Sequence, residues 1–245
     1  SILKKAIELR GKVPPTRKTA LKKQLSTLRG LMKKAEFTAF GEHYKFSQKL
    51  KERNFYNTFR QDIPAHDYNS MFKNWWYRCL NGEPFVCWPN HVKHFALSSG
   101  TSEAASKHIP VTKDMLKAIR KVSMRQTISL SEVDLPKEFF QKRVLMVGGS
   151  THLSFNGTYY EGDLSGITTG NIPFWFQFFY KPGPAISRHR DWNSKLNDIV
   201  LNAPKWDIGV ICGVPAWIQI ILEKIVIHYN LKTIHDIWPN LRIYV

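Results

Sequence analysis

The chain has 245 residues, 43% hydrophobic and 13% aromatic, which is enough apolar material for a packed core and excludes a disordered chain. Lys and Arg number 36 against 19 Asp and Glu, a net charge of +17, and three cysteines (Cys79, Cys87, Cys212) are too few for a disulfide scaffold and point to a reducing, cytoplasmic setting. The apolar uncharged runs Leu164–Tyr180 and Ile208–Leu222 are broken by Gly and Pro and do not read as membrane spans, and the N-terminus lacks the pattern of a signal peptide.

The positive charge is concentrated at the start. Residues 1–60 carry 16 Lys/Arg and 4 Asp/Glu. Such a segment suits a polyanion-binding arm or the solvated face of helices packed on a core. The spacing of Leu21, Leu25, Leu28 and Met32 predicts an amphipathic helix with Lys22, Lys23, Arg29 and Lys33 on its other faces. Pro14-Pro15 separates it from an earlier helix containing Ile2, Leu3, Ile7 and Leu9. These apolar stripes need something to pack on, so 1–60 is expected to be a basic helical segment docked on a 61–245 core. No aromatic-studded nucleic-acid surface and no zinc-finger spacing is visible, so no nucleic-acid partner is expected.

Further along, Tyr68–Leu80 reads as a helix stopped by Asn81-Gly82. Phe85–Trp88 and Lys93–Leu97 have the composition of short strands, and Ile109–Val111 resumes an extended segment. Thr112 is placed to cap a helix bearing Met115, Ile119 and Val122 on one face. Arg143–Val147 reads as a buried strand ending in Gly148-Gly149-Ser150, and Asn156-Gly157 as a hairpin turn. Asp191–Leu201 is helical in pattern. Asp207–Cys212 is a second buried strand, followed by Gly213-Val214-Pro215 and a helix to about Tyr229. A short helix ends at Trp238-Pro239, and Leu241–Val245 has strand character. Alternation of strand and helix from about residue 85 predicts an α/β domain with a mostly parallel sheet and flanking helices.

The sharpest chemical signal is the stretch Ser98-Ser99-Gly100-Thr101-Ser102-Glu103-Ala104-Ala105-Ser106-Lys107. Four hydroxyls among its first five residues, with backbone N–H groups, can surround phosphate oxygens, Gly100 permits close approach, and Lys107 supplies a point charge. The same composition also suits a plain Ser/Thr-rich surface loop. The Walker A spacing is absent.

Beyond its composition, LSSGTSEAASKHIPVT (97–112) resembles the phosphate-loop motif of the adenylate-forming superfamily. Within it the chain resembles the auxin-responsive Gretchen Hagen 3 family of acyl acid–amido synthetases, bacterial type. IPAHDYNSMFKNWW (63–76) and LNGEPFVCWPN (80–90) precede the loop as in that family. VLMVGGST (144–151), EGDLSGI (161–167), DIGVICGVPAWIQIILEKI (207–225) and HDIWPNLRIYV (235–245) follow in its order. The resemblance implies an ATP-dependent ligase that activates a carboxylic acid as acyl-AMP and passes it to an amine such as an amino acid, with Mg2+ accompanying the nucleotide. It implies that Ser98, Ser99, Gly100, Thr101, Ser102 and Lys107 hold the ATP phosphates, with Lys107 catalytic. Two departures stand out. Ala104 occupies a position where the family often has glycine. The family's downstream Tyr-x-x-Ser-Glu and Arg/Gly/Asp motifs are missing, so the chain resembles the N-terminal half of such an enzyme, continuing beyond 245 in the family. Tyr160-Glu161-Gly162-Asp163 only mimics the later motif and reads as part of a hairpin.

Gly149, Ser150, Gly213, Val214 and Trp217 follow strands, where open α/β sheets bind ligands. They are the candidates for holding the acid, with plain turns and core packing as the competing reading. The aromatic run Phe174–Tyr180 reads as core rather than an acyl channel. Cys79 and Cys87 read as buried small hydrophobes. The histidines lack ligand spacing for zinc, and no metal-ligating residue is assigned. A basic non-catalytic binder of nucleic acid or anionic surfaces and a coenzyme A ligase of the same superfamily are the alternative functions.

Overall fold

The computed structural model describes residues 5, 9, 20–98, 106–174 and 176–245. Helix α1 (Ala20–Ala35) buries Met32 and Ala35 against Phe46 and Phe55, with Leu25 and Leu28 half-buried on the same side. Its Arg29 donates to the Leu50 carbonyl at 2.9 Å and lies 4.2 Å from the Phe55 ring centroid. Short helices α2 (Ala39–His43), α3 (Phe46–Lys49) and α4 (Phe55–Asp62) complete this layer.

A helical run then extends from α5 (Tyr68–Met71) through a π-helical turn (Phe72–Trp76) to α6 (Tyr77–Leu80). It presents Trp75 and Cys79 to a cluster with Val86, Val92, Phe95 and Tyr159. The segment 85–88 is not a strand. The Phe85 and Val86 carbonyls accept the Ala39 and Phe40 N–H groups at the start of α2, both at 2.8 Å. Phe85 has φ 58°. Its backbone is therefore satisfied by a helix terminus instead of a sheet.

The first sheet has the order β2-β1-β5-β4, built from β1 (His94–Leu97), β2 (His108–Val111), β4 (Ser154–Phe155) and β5 (Tyr160–Gly162). β1 runs antiparallel to β2 and parallel to β5. β4 and β5 form the hairpin expected at Asn156-Gly157, and the Asn156 side chain accepts the Thr158 and Tyr159 N–H groups. β1 is covered on both faces. Phe95 points to the π-turn side, and Ala96 to a cluster with Val111 and Ile167. Above that cluster lie α7 (Lys113–Ser129), capped by Thr112 as expected, and α8 (Leu164–Gly170).

The second sheet is wholly parallel, in the order β6-β3-β7-β8. It comprises β3 (Arg143–Val147), β6 (Tyr180–Lys181), β7 (Ile208–Gly213) and β8 (Ile243–Tyr244). A register shift opposite Arg143/Val144 lets both Ile208 and Ile211 face one side. That side carries α10 (Trp192–Asn202) and α11 (Pro215–His228) and forms the main core, with Leu145, Val147, Ile199, Ile221, Ile225 and Trp238. α9 (Pro184–Ser187) precedes α10. Val210 and Ile243 turn instead to Phe139 and Phe140. The fold is thus α/β, with a parallel sheet, flanking helices and a basic helical N-terminal layer. Among the described residues no helix is long and apolar enough to cross a membrane.

Candidate functional site

β1 and β2 bring the two ends of the Ser/Thr-rich stretch together. Ser98 N–H donates to the Lys107 carbonyl at 3.1 Å, and Lys107 N–H donates to Ser98 Oγ at 3.3 Å. Ser99, Gly100, Thr101 and Ser102 lie outside the described residues. Lys107 is exposed, and its ammonium sits 5.1 Å from the Tyr68 ring centroid. The next residue, His108, donates its backbone N–H to Tyr68 Oη at 3.0 Å, and its Nε2 lies 2.9 Å from Glu161 on β5.

Beside this junction lies a polar cleft of about 360 Å³ that runs from Leu97 to the carboxyl end of β3. Gly149, Ser150, Glu161, Asp163, Arg190 and Lys195 line it, and Trp217 closes one side, tilted against Trp192 with centroids 4.8 Å apart. Lys195 is buried and donates to the Gly148 and Gly149 carbonyls at 3.0 and 3.1 Å. Burial pushes its pKa below the ordinary lysine value, and the Asp163 charge opposes that shift. Gly149 must be small: a Cβ there would fall 2.3 Å from an Asp163 carboxylate oxygen. Its N–H donates to Ser165 Oγ at 2.9 Å, which ties the turn to α8.

The cleft therefore gathers Gly149, Ser150 and Trp217 but not Gly213 or Val214. Gly213 lines a separate depression with Tyr244 and Val245. A Cβ on Gly213 would approach the Val147 carbonyl oxygen to 2.5 Å, so this glycine permits close pairing of β7 with β3. Val214 is exposed and caps α11.

A second cavity, also about 360 Å³, is mostly apolar. It lies between α7 and the 168–176 stretch, with Met146 of β3 among its lining residues. Leu116, Ile119, Ile172 and Phe176 line it, and among the described residues Arg120 is its one cationic lining residue. Arg120 donates one N–H to the Asn171 carbonyl at 2.9 Å, leaving other guanidinium donors uncommitted to that bond. Sequence reasoning missed this cavity; of the stripe Met115, Ile119 and Val122, Ile119 lines it and Met115 packs on the Val111–Ile167 cluster instead. The aromatic run is less buried than expected: Phe174 and Phe178 are exposed, and among its described residues Phe176 reaches the cavity. Cys79 is buried and Cys87 half-buried, and burial raises the two thiols to about 11 and about 12. Among the described residues no three His, Cys, Asp or Glu side chains are grouped to hold a metal ion.

The fold matches two solved structures at 15% sequence identity, each with a TM-score of 0.64. One is AtGH3.15 acyl acid amido synthetase in complex with 2,4-DB, with 84% of this chain and 35% of that chain covered. The other is GH3.15 acyl acid amido synthetase, with 89% and 40% covered. The chain thus spans well under half the length of either. Comparison with curated proteins gave no match. The model of the GH3 family N-terminal domain matches residues 12–154, more than half of the chain. The protein accordingly belongs to the GH3 family.

Proposed function

We propose that the protein is an ATP-dependent acyl-adenylating ligase which activates a carboxylic acid as acyl-AMP and transfers the acyl group to an amine such as an amino acid. The observation that carries this reading is the juxtaposition of the Ser98/Lys107 junction, a polar cleft at the strand ends and an apolar cavity beneath α7 with one cationic residue in its lining. The ATP phosphates lie in the Ser98–Lys107 loop, with Lys107 offsetting charge that builds on them as the bond to the α-phosphorus forms. The acid's apolar body occupies the cavity lined by Leu116, Ile119 and Phe176, and Arg120 pairs with its carboxylate. A carboxylate oxygen attacks the α-phosphorus and pyrophosphate leaves. The amine nitrogen then attacks the acyl carbonyl, AMP departs and the amide remains. Gly149, Ser150 and Trp217 border the polar cleft through which the acceptor reaches that carbonyl.

The donor set fits a nucleotide-borne magnesium ion: Glu161 and Asp163 are the carboxylates at the cleft, too few for an all-protein cage. When bound, Mg2+ neutralises phosphate charge.

The test is carboxylate-dependent exchange of pyrophosphate into ATP by the full-length protein, across aryl, indole and fatty acids. Exchange with one acid class, strongly reduced but still measurable in Lys107→Ala without change in unfolding temperature, supports the reading. Absence of exchange with every acid, in protein that binds polyanions with a steep salt dependence, favours the anionic-surface binder. Product mass separates an amide from a coenzyme A thioester.

A further inference from the structure

The reading of Lys107 leaves open what aims its side chain. An exposed lysine ordinarily samples many rotamers, yet Lys107 lies over an aromatic face that is itself fixed. The Tyr68 ring is stacked on Phe72, with centroids 5.6 Å apart at 25°, and meets the edge of Trp76 at 5.9 Å. Its hydroxyl accepts the His108 N–H at 3.0 Å. One tyrosine therefore touches the loop exit twice, once at the main chain of residue 108 and once at the ammonium of residue 107.

The ring's own position is set by local chemistry. Asp67 caps α5 by accepting the Ser70 N–H at 2.7 Å, and its backbone carbonyl accepts Ser70 Oγ at 3.0 Å. The Ser70 hydrogen bonds hold the Asp67 carboxyl below the usual carboxylate range, and the Lys107 charge adds to this. The ammonium thus lies over a π face, which attracts a cation, and the Asp67 carboxyl feels its charge. His108 is braced from the far side by Glu161.

We propose that Tyr68 is a positioning residue for Lys107. Its ring face holds the ammonium at the loop exit, and its hydroxyl fixes the main chain from which that side chain springs. This rests on the assignment of Lys107 to the ATP phosphates made above.

Two measurements on the full-length protein test it. In pyrophosphate exchange, Tyr68→Leu lowers kcat/KM for ATP roughly tenfold, and Tyr68→Phe, which keeps the ring, falls between that variant and the parent. In a Lys107→Ala background, Tyr68→Leu has no further effect, because the two residues act as one unit. An equal loss in both backgrounds would mark Tyr68 as merely structural and overturn the proposal.

The second readout needs no activity. The Lys107 ε-methylene protons, above an aromatic face, resonate upfield of ordinary lysines. The shift survives Tyr68→Phe and vanishes in Tyr68→Leu. An ordinary Lys107 resonance in the parent protein would sink the idea. A shifted resonance in a protein without acid-dependent exchange would retain the contact while removing the adenylation reading on which its catalytic meaning depends.

Discussion

Lys195 keeps only 5% of its surface in contact with solvent, and two main-chain carbonyls accept from its ammonium. A buried cation of this kind is tolerated only while its donors are engaged. Lys195→Met should leave the Gly148 and Gly149 carbonyls short of a partner and lower stability by about 1–3 kcal/mol, read as a shift in the urea midpoint. Cys79 and Cys87 illustrate the opposite case, groups that stay neutral. Burial raises their folded-state pKa values to about 11 and about 12, above the ordinary thiol value of 9.0. Their contribution to stability is therefore complete below pH 9.0 and is lost as pH rises toward 11 and 12. The urea midpoint should fall over that interval, and less steeply in a Cys79→Ala/Cys87→Ala variant. Equal slopes would show that the fall has another source.

At the scale of elements, α7 is an exposed helix despite its length: none of its residues is fully buried. Its start is held by Thr112, whose Oγ1 accepts the Met115 N–H at 3.1 Å. It is also held by Asp114, which meets Lys34 of α1 at 2.7 Å and the Trp88 indole N–H at 2.9 Å. Both charged side chains are substantially exposed, so this ion pair is worth at most ~1 kcal/mol. The cap matters comparably. Thr112→Ala should cost about 1 kcal/mol, and amide exchange should accelerate first in the opening turns of α7. Because α7 forms one wall of the apolar cavity, the same change should raise KM for the acid while leaving KM for ATP near the parent value.

The cap at Thr112 is legible in the sequence because capping involves residues three apart, whereas Asp191, inside the helical pattern of 191–201, is the cap of that helix. The Asn156-Gly157 hairpin, whose turn closes on itself, is legible too. Phe85–Trp88 is not legible as a loop, since the donors to the Phe85 and Val86 carbonyls lie 46 residues earlier, at Ala39 and Phe40. The same distance problem hid the apolar cavity. Arg120 and Asn171 meet only in three dimensions, and nothing in the helix repeat distinguishes a cavity wall from a core face. Tyr68 was read only as the start of a helix, because its contact with Lys107 joins two segments that the pattern treats separately. Gly149, Ser150 and Trp217 share one cleft because strand ends in α/β sheets converge. Gly213 and Val214 obey the same rule but face elsewhere.

For the whole molecule, the excess charge and the core are segregated. α1 carries Lys33 and Lys34 in its last turn yet buries Met32 and Ala35, so much of its basic surface is the outer face of a docked helix. A charge-reducing pair on that face, Lys23→Gln with Lys33→Gln, should leave stability within about 0.5 kcal/mol while weakening retention on a polyanionic column.

The second sheet has a consequence in time. β3 can complete its pairing only with β7, which begins about 60 residues later in the chain. A growing polypeptide leaves the ribosome from its N-terminal end, so the helical layer and the first sheet emerge while β3 still has an unoccupied flank. Closing such separated parallel strands is intrinsically slow, and the unpaired edge is the stretch most open to wrong partners until then. Chains stalled before Ile208 should be cleaved by protease around Arg143–Val147, and chains released beyond Val245 should be protected there. Translation speed between these two strands would then govern yield more than any single contact in the finished protein.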